Sequence, residues 1–241
     1  MLTKLTKNKQ NELLKAGFKL GWQNLLIIAR LLLPAILPFY LLYNFLRQPG
    51  ASGAMVFLHV ACLIVYIVLI PAPNIIITYT LNQRLQGQPI PTFVQSWDYC
   101  FSRLGWVWRV LLKSTLLILK GLFPRIVPGI RLSFQYTLVN TITIINPLSE
   151  NTSAPLEESQ NLIKGQEWAV FRLMILSFLL IFVLSFCIGL PLVFVETFWM
   201  NAILDSISQI LVAPFSGMLL LLYQTLKEEL PESHETLPNK N

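Results

Sequence analysis

The chain has 241 residues, of which 54% are hydrophobic and only 12% charged, with a formal net charge of +6. A soluble domain carries about 25% charged residues, so this composition argues against an ordinary water-soluble enzyme and for residence in a membrane. The basic residues are scattered between apolar runs rather than gathered into a stripe with interleaved aromatics, which sets nucleic acid aside and leaves topology signals and lipid headgroups as their roles.

Residues 1–23 form a basic amphipathic segment: Lys4, Lys7, Lys9, Lys15 and Lys19 stand against Glu12, while Leu13, Leu14, Phe18 and Trp22 recur at helical spacing. Such a helix suits an anionic inner leaflet. The apolar run behind it exceeds a signal-peptide core, so 24–45 reads as a first membrane span, bent by Pro34 and Pro38. No formal charge occurs from Gln48 to Gln83, which gives a second span over 54–80. Pro71 and Pro73 interrupt it and free backbone carbonyls that neighbouring helices or Asn74 must satisfy; the alternative is a broken helix lining a solute site.

A polar loop with Gly87, Pro89 and Pro91 leads to a surface helix from Thr92, where Trp97, Trp106 and Trp108 with Arg103, Arg109 and Lys113 read as an inner-face belt. A third span is expected over 104–122 with Lys120 snorkelling and Lys113 nearer the middle; if it does not cross, the third and fourth helices form a re-entrant hairpin. The fourth span, 129–145, carries Ser133, Tyr136, Asn140 and Thr143 along one face, a line that should meet protein or a cavity rather than lipid. A second surface helix begins near Ser153 and Pro155, and spans follow over 170–195 and 202–224. The membrane domain is thus 24–226, and 227–241, with Pro231, Pro238 and several acids, reads as a disordered tail. The order of surface helix, glycine-tryptophan-arginine junction and span in 92–122 echoes that in 155–195, which suggests a parallel repeat.

The fold class expected is all-α: a polytopic transmembrane bundle of about six spans with amphipathic surface helices on the cytoplasmic side. With the N-terminus inside, 14 of the 18 basic residues lie on or nearer the cytoplasmic side, and Arg47, Lys120, Arg125 and Arg131 lie outside. The positive-inside rule therefore places both termini in the cytoplasm.

Pro128, Gly129 and Ile130, followed by Leu156, Ser159, Leu162, Lys164, Gly165 and Trp168, give a pattern that resembles a bacterial integral-membrane family. That family includes the membrane domain joined to some glycerophosphodiester phosphodiesterases and many stand-alone proteins of unassigned activity. Members often carry alanine where this chain has Pro155. The resemblance implies a bacterial inner-membrane location and a polytopic helical fold; no residues correspond to the soluble catalytic domain of those phosphodiesterases.

Candidate chemistry is sparse. His59 and His234 are the only histidines, no paired-histidine or acidic metal motif occurs, and Cys62, Cys100 and Cys187 form no close pair. No enzyme activity and no cofactor are expected. The polar group singled out lies at the outer end of the sixth span: Glu196, Asn201, Asp205 and Ser208, facing a turn with Arg125 and Arg131. An acid inside a membrane helix is costly unless paired, so Asp205 is expected to pair with Arg131, with a solute or ion site as the alternative and Asn140 and Asn74 as further polar positions. The role expected, from the resemblance, is a non-catalytic scaffold or accessory protein in membrane or lipid homeostasis, with membrane lipids and a membrane protein as partners. The alternative is a small-solute or lipid transporter or channel.

Overall fold

The computed structural model describes residues 5–47, 53–122, 126–147, 151–192 and 197–229, and every regular element in them is a helix. In chain order these are α1 (Lys7–Gln23), α2 (Leu25–Leu46), α3 (Gly53–Leu69), α4 (Ala72–Leu85), α5 (Phe93–Leu122), α6 (Ile126–Gln135), α7 (Val139–Ile145), α8 (Ala154–Ile163), α9 (Glu167–Leu192), α10 (Phe198–Ile210) and α11 (Ala213–Glu228). Among them four stretches are long and apolar enough to cross a membrane: Leu25–Leu46, Gly53–Leu85, Glu167–Ile188 and Trp199–Glu228.

Six spans were expected, and the difference lies in 104–145. The expected third span is the C-terminal part of α5, a continuous helix of 30 residues. The expected fourth is divided by a turn at 136–138 into α6, of 10 residues, and α7, of 7. At 1.5 Å per residue these pieces are about 15 and 10 Å long, well short of a hydrocarbon core of about 30 Å.

The breaks in the other helices fall where proline puts them. Pro34 and Pro38 are accommodated inside α2, whereas Pro71 stands at the N-cap of α4 and separates it from α3. Pro214 lies in the first turn of α11 and follows the break that ends α10. Proline costs little there, because the first turn needs no N–H partner.

Two long arms organise the chain. α1 and α2 meet at Asn24, which donates to the Leu20 carbonyl at 2.8 Å and accepts from Arg84 Nε at 3.1 Å. α10 and α11 return antiparallel beside them, α10 on α2 and α11 on α1. Gly17 and Gly21 of α1 lie directly against Met218 and Pro214 of α11. The face of α1 turned inward is Gln10, Leu13, Gly17 and Gly21, while Trp22 stays exposed. Of the four apolar residues expected to meet the leaflet, only Leu13 is buried in the contact with α11; Leu14 and Phe18 are half-buried. Lys9 pairs with Glu229 at the end of α11, so the helix continues past the expected start of the tail; 230–241 lies outside the described residues.

Burial is uneven, as a membrane protein requires. A core of Leu13, Ile142, Leu162, Val170, Met218 and Leu222 joins α1, α7, α8, α9 and α11, and a second core of Ile28, Leu32, Ile75, Ile76 and Leu81 joins α2 to α4. In the most apolar windows, 67% of residues are buried in Trp199–Glu228 but only 6% in Gly53–Leu85 and 11% in Glu167–Ile188. α3 and α9 thus present Phe57, Ile64, Phe178 and Phe182 outward, a surface stable only in hydrocarbon.

The suggested repeat is not present in the fold. Gly105 sits inside α5 with open space beside it, whereas Gly165, at φ +81°, ends α8 and turns the chain into α9. The same residue order makes one continuous helix in the first case and a helix-turn-helix in the second.

Candidate functional site

The break at Pro71 opens a cavity of about 460 Å³ between α2, the α3–α4 junction and the start of α5. Its walls include Ile36, Phe39 and Tyr40 of α2, Tyr66 and Leu69 of α3, Pro73 of α4, Phe93, Trp97 and Phe101 of α5, and Gln209 of α10. Rings dominate because they pack on one another: Phe39 and Tyr66 stack at 6.3 Å and Tyr40 meets Tyr66 edge-on at 6.1 Å. Gln209 Nε2 donates to the Tyr40 hydroxyl at 3.1 Å, so these two polar groups largely satisfy each other. Such a space solvates hydrocarbon, offering one polar point at the α10 side.

Two carbonyls close to the prolines accept from α5. The Trp97 indole N–H donates to the Leu31 carbonyl at 3.1 Å and that of Trp108 to the Val68 carbonyl at 2.8 Å. Each acceptor stands three residues before a proline, Pro34 or Pro71. Asn74 accepts from Thr78 Oγ1 at 3.3 Å and from Ser216 Oγ at 3.0 Å, which ties α4 to α11. These bonds pack α5 and α11 against the segments on either side of the Pro71 break.

The expected pair of Asp205 and Arg131 does not form. Arg131 Nη2 lies 3.0 Å from Glu167 Oε1 at the start of α9, and Gln135 Nε2 donates to the same oxygen at 3.2 Å. Asp205 instead accepts from Asn44 Nδ2 at 3.1 Å, and Asn44 also donates to the Tyr40 carbonyl at 3.0 Å. The polar cluster of α2 and α10 is thus Tyr40, Asn44, Asp205 and Gln209, extended by Tyr43 stacked on His59 at 5.0 Å. Its sequence signal is the four-residue spacing of Tyr40 and Asn44 and of Asp205 and Gln209, two faces that interlock once α2 and α10 are known to pair. Asn201 is exposed one turn before Asp205, and Glu196 lies outside the described residues. Asn140 is half-buried on α7, and its Oδ1 has no partner among the described residues. We expect Asp205→Ala to lower stability by about 1 kcal/mol, the scale of one lost hydrogen bond. Reversing the charge of Arg131 should not restore it, as thermal unfolding in mild detergent would show.

The residues of the family-like pattern build the junction of α5, α6, α8 and α9. Gly129 lies against Leu122, where a Cβ would come within 2.4 Å of the leucine side chain. Pro128 falls in the first turn of α6. Ser159, fully buried, donates to the Gln135 carbonyl at 2.6 Å, a group left free by the turn that ends α6. Leu162 is buried beneath α11, Lys164 caps α8, Gly165 makes the left-handed turn, and Trp168 is 74% exposed beside Phe171. Ser153 is the N-cap of α8 as expected, but its hydroxyl accepts from Lys113 rather than from the helix.

Among the described residues no three histidine, cysteine or acidic side chains converge as a metal site. Burial pushes the Cys100 thiol up to about 12, so it stays protonated as a packing group beneath the Ala72 carbonyl. No protein-family model, curated protein or solved structure matches the chain.

Proposed function

We propose that this protein is a non-catalytic accessory or scaffold protein of the bacterial inner membrane that holds a lipid hydrocarbon chain. The observation that carries the reading is the aromatic cavity of about 460 Å³ at the Pro71 break, a volume within the range of small-ligand sites. A transporter is the second reading, favoured by the same helix break, yet Asn74 is engaged with Thr78 and Ser216 rather than turned to a solute. Both termini are read as cytoplasmic from the lysine and arginine bias, which holds whether the α5–α6 hairpin crosses, giving six spans, or not, giving four. The resemblance to the membrane domain joined to glycerophosphodiester phosphodiesterases agrees with a role in lipid homeostasis.

The test is mass spectrometry of what co-purifies in mild detergent. Phospholipid is expected at near one per chain, falling at least fivefold in Ala35→Phe, which fills the cavity from α2, while the variant still elutes as a single species. Equal lipid retention by Ala35→Phe, or a water-soluble solute in place of lipid, would remove the reading.

A further inference from the structure

We propose that α5 lies along the membrane surface rather than across it, on the side of the N-terminus, and that its exposed edge binds an anionic phospholipid leaflet. The proposal does not depend on what occupies the cavity.

The first support is where α5 is fastened. Trp97 and Trp108 are eleven residues apart, three helical turns and about 16 Å, so they project from the same edge of α5. They bond to two different spans, at Leu31 of α2 and Val68 of α3. Each attachment is three residues from the proline that bends or ends that segment, Pro34 or Pro71. A helix fastened side by side to two spans at such matching points runs past them instead of between them.

The second support is length. Lys113 Nζ donates to Thr152 Oγ1 at 3.2 Å and to Ser153 Oγ at 2.6 Å, in the polar segment that starts α8. A crossing α5 would draw that segment, with Glu157 and Glu158 behind it, toward the hydrocarbon. Beyond Lys113 the helix has nine residues, about 14 Å, less than half a bilayer core. The chain then returns through α6, whose Arg131 reaches Glu167 at the foot of α9.

The third support is the pattern of exposure. Val94, Phe101, Leu112, Leu116 and Leu119 are each more than half exposed, and at about 100° per residue they fall in one narrow stripe. The two tryptophans border this stripe on one side; Arg109 and Lys120 border it on the other. An apolar stripe between anchoring tryptophans and two cations matches hydrocarbon at the centre and lipid phosphates at the rim. Four crossings also leave Arg47 alone among the bases of the far side, raising the near-side tally from 14 to 17 of 18.

The experiment uses the full chain with Cys187→Ala, because that cysteine is exposed while Cys62 and Cys100 are buried. It is reconstituted in phosphatidylcholine vesicles with or without about 30% phosphatidylglycerol. Three single cysteines are compared: Lys7→Cys, Leu116→Cys and Lys120→Cys. We expect an impermeant maleimide to reach Lys7→Cys and Lys120→Cys from the same side. A fluorophore on Leu116→Cys should be quenched at least threefold more strongly by lipids brominated in the upper acyl chain when phosphatidylglycerol is present. Adding Arg109→Gln and Lys120→Gln should abolish that difference. Labelling of Lys120→Cys from the side opposite to Lys7→Cys would show a crossing helix and overturn the proposal. Equal quenching in neutral and anionic vesicles would overturn the lipid assignment even if the charge variant failed to fold.

Discussion

Placing a single methyl group at Gly17 is expected to cost about 2–3 kcal/mol, and a leucine there should leave no monodisperse protein. A Cβ on Gly17 would stand 2.4 Å from Met218 Cα and 2.6 Å from its nitrogen; one on Gly21 would stand 2.4 Å from Pro214 Cα; one on Gly217 would stand 2.6 Å from the Gly17 carbonyl oxygen. All three obstacles are backbone, so no rotamer change relieves them and α1 must move away from α11 as a body. That movement would also loosen Leu13 from Met218 and Leu222, which share its core. Because one displacement relieves all three clashes, Gly17→Ala with Gly217→Ala should cost less than the sum of the separate losses. Gly105→Ala is the control: nothing lies within 4 Å of its Cβ position inside α5, and removing a helical glycine should raise stability by about 0.5–1 kcal/mol. Thermal unfolding and gel filtration in mild detergent would check both. Wild-type behaviour of Gly17→Ala would mean that α1 does not sit on α11 in this way.

What the sequence discloses is the part of the fold set by hydrocarbon. The uncharged run from Gln48 to Gln83, the length of 24–45 and the break at Pro71 follow from hydropathy and from the missing N–H of proline, and the helices form there. The tryptophans of α5 read in the sequence as a belt, and nothing there marks them as donors to particular carbonyls. The hidden part is which helix meets which. Gly17 and Gly21 in a lysine-rich segment read as weak helix formers until α11 supplies the backbone they admit. The partner expected for Arg131 depended on counting crossings: with 129–145 as one span, Arg131 stands near Asp205, but the turn at 136–138 puts it beside Glu167 instead. Lys113 posed the same difficulty, since a lysine within an apolar helix reads as a snorkelling cation when its partners, Thr152 and Ser153, lie about forty residues on.

Tyr223→Phe should lower stability by about 1–3 kcal/mol although it removes one oxygen, because that oxygen joins three helices, α7, α8 and α11. Tyr223 is 3% exposed on α11, and its hydroxyl lies 3.1 Å from Asn146 Oδ1 and 3.1 Å from Glu158 Oε1, while Lys227 Nζ donates to it at 3.0 Å. Asn146, at the C-cap of α7, donates to the other Glu158 oxygen at 2.9 Å, and Arg103 of α5 donates to the Asn146 carbonyl. Loss of the hydroxyl therefore leaves the half-buried Glu158 with one fewer donor and Lys227 without this acceptor. Glu158→Gln should cost a comparable amount, since its hydrogen bonds are assisted by charge. Combined, the two changes should cost less than their sum by at least about 0.5 kcal/mol, because the second breaks bonds already weakened by the first. Strict additivity would mean that the hydroxyl and the carboxylate act separately, and that α8 is held to α11 by apolar packing alone.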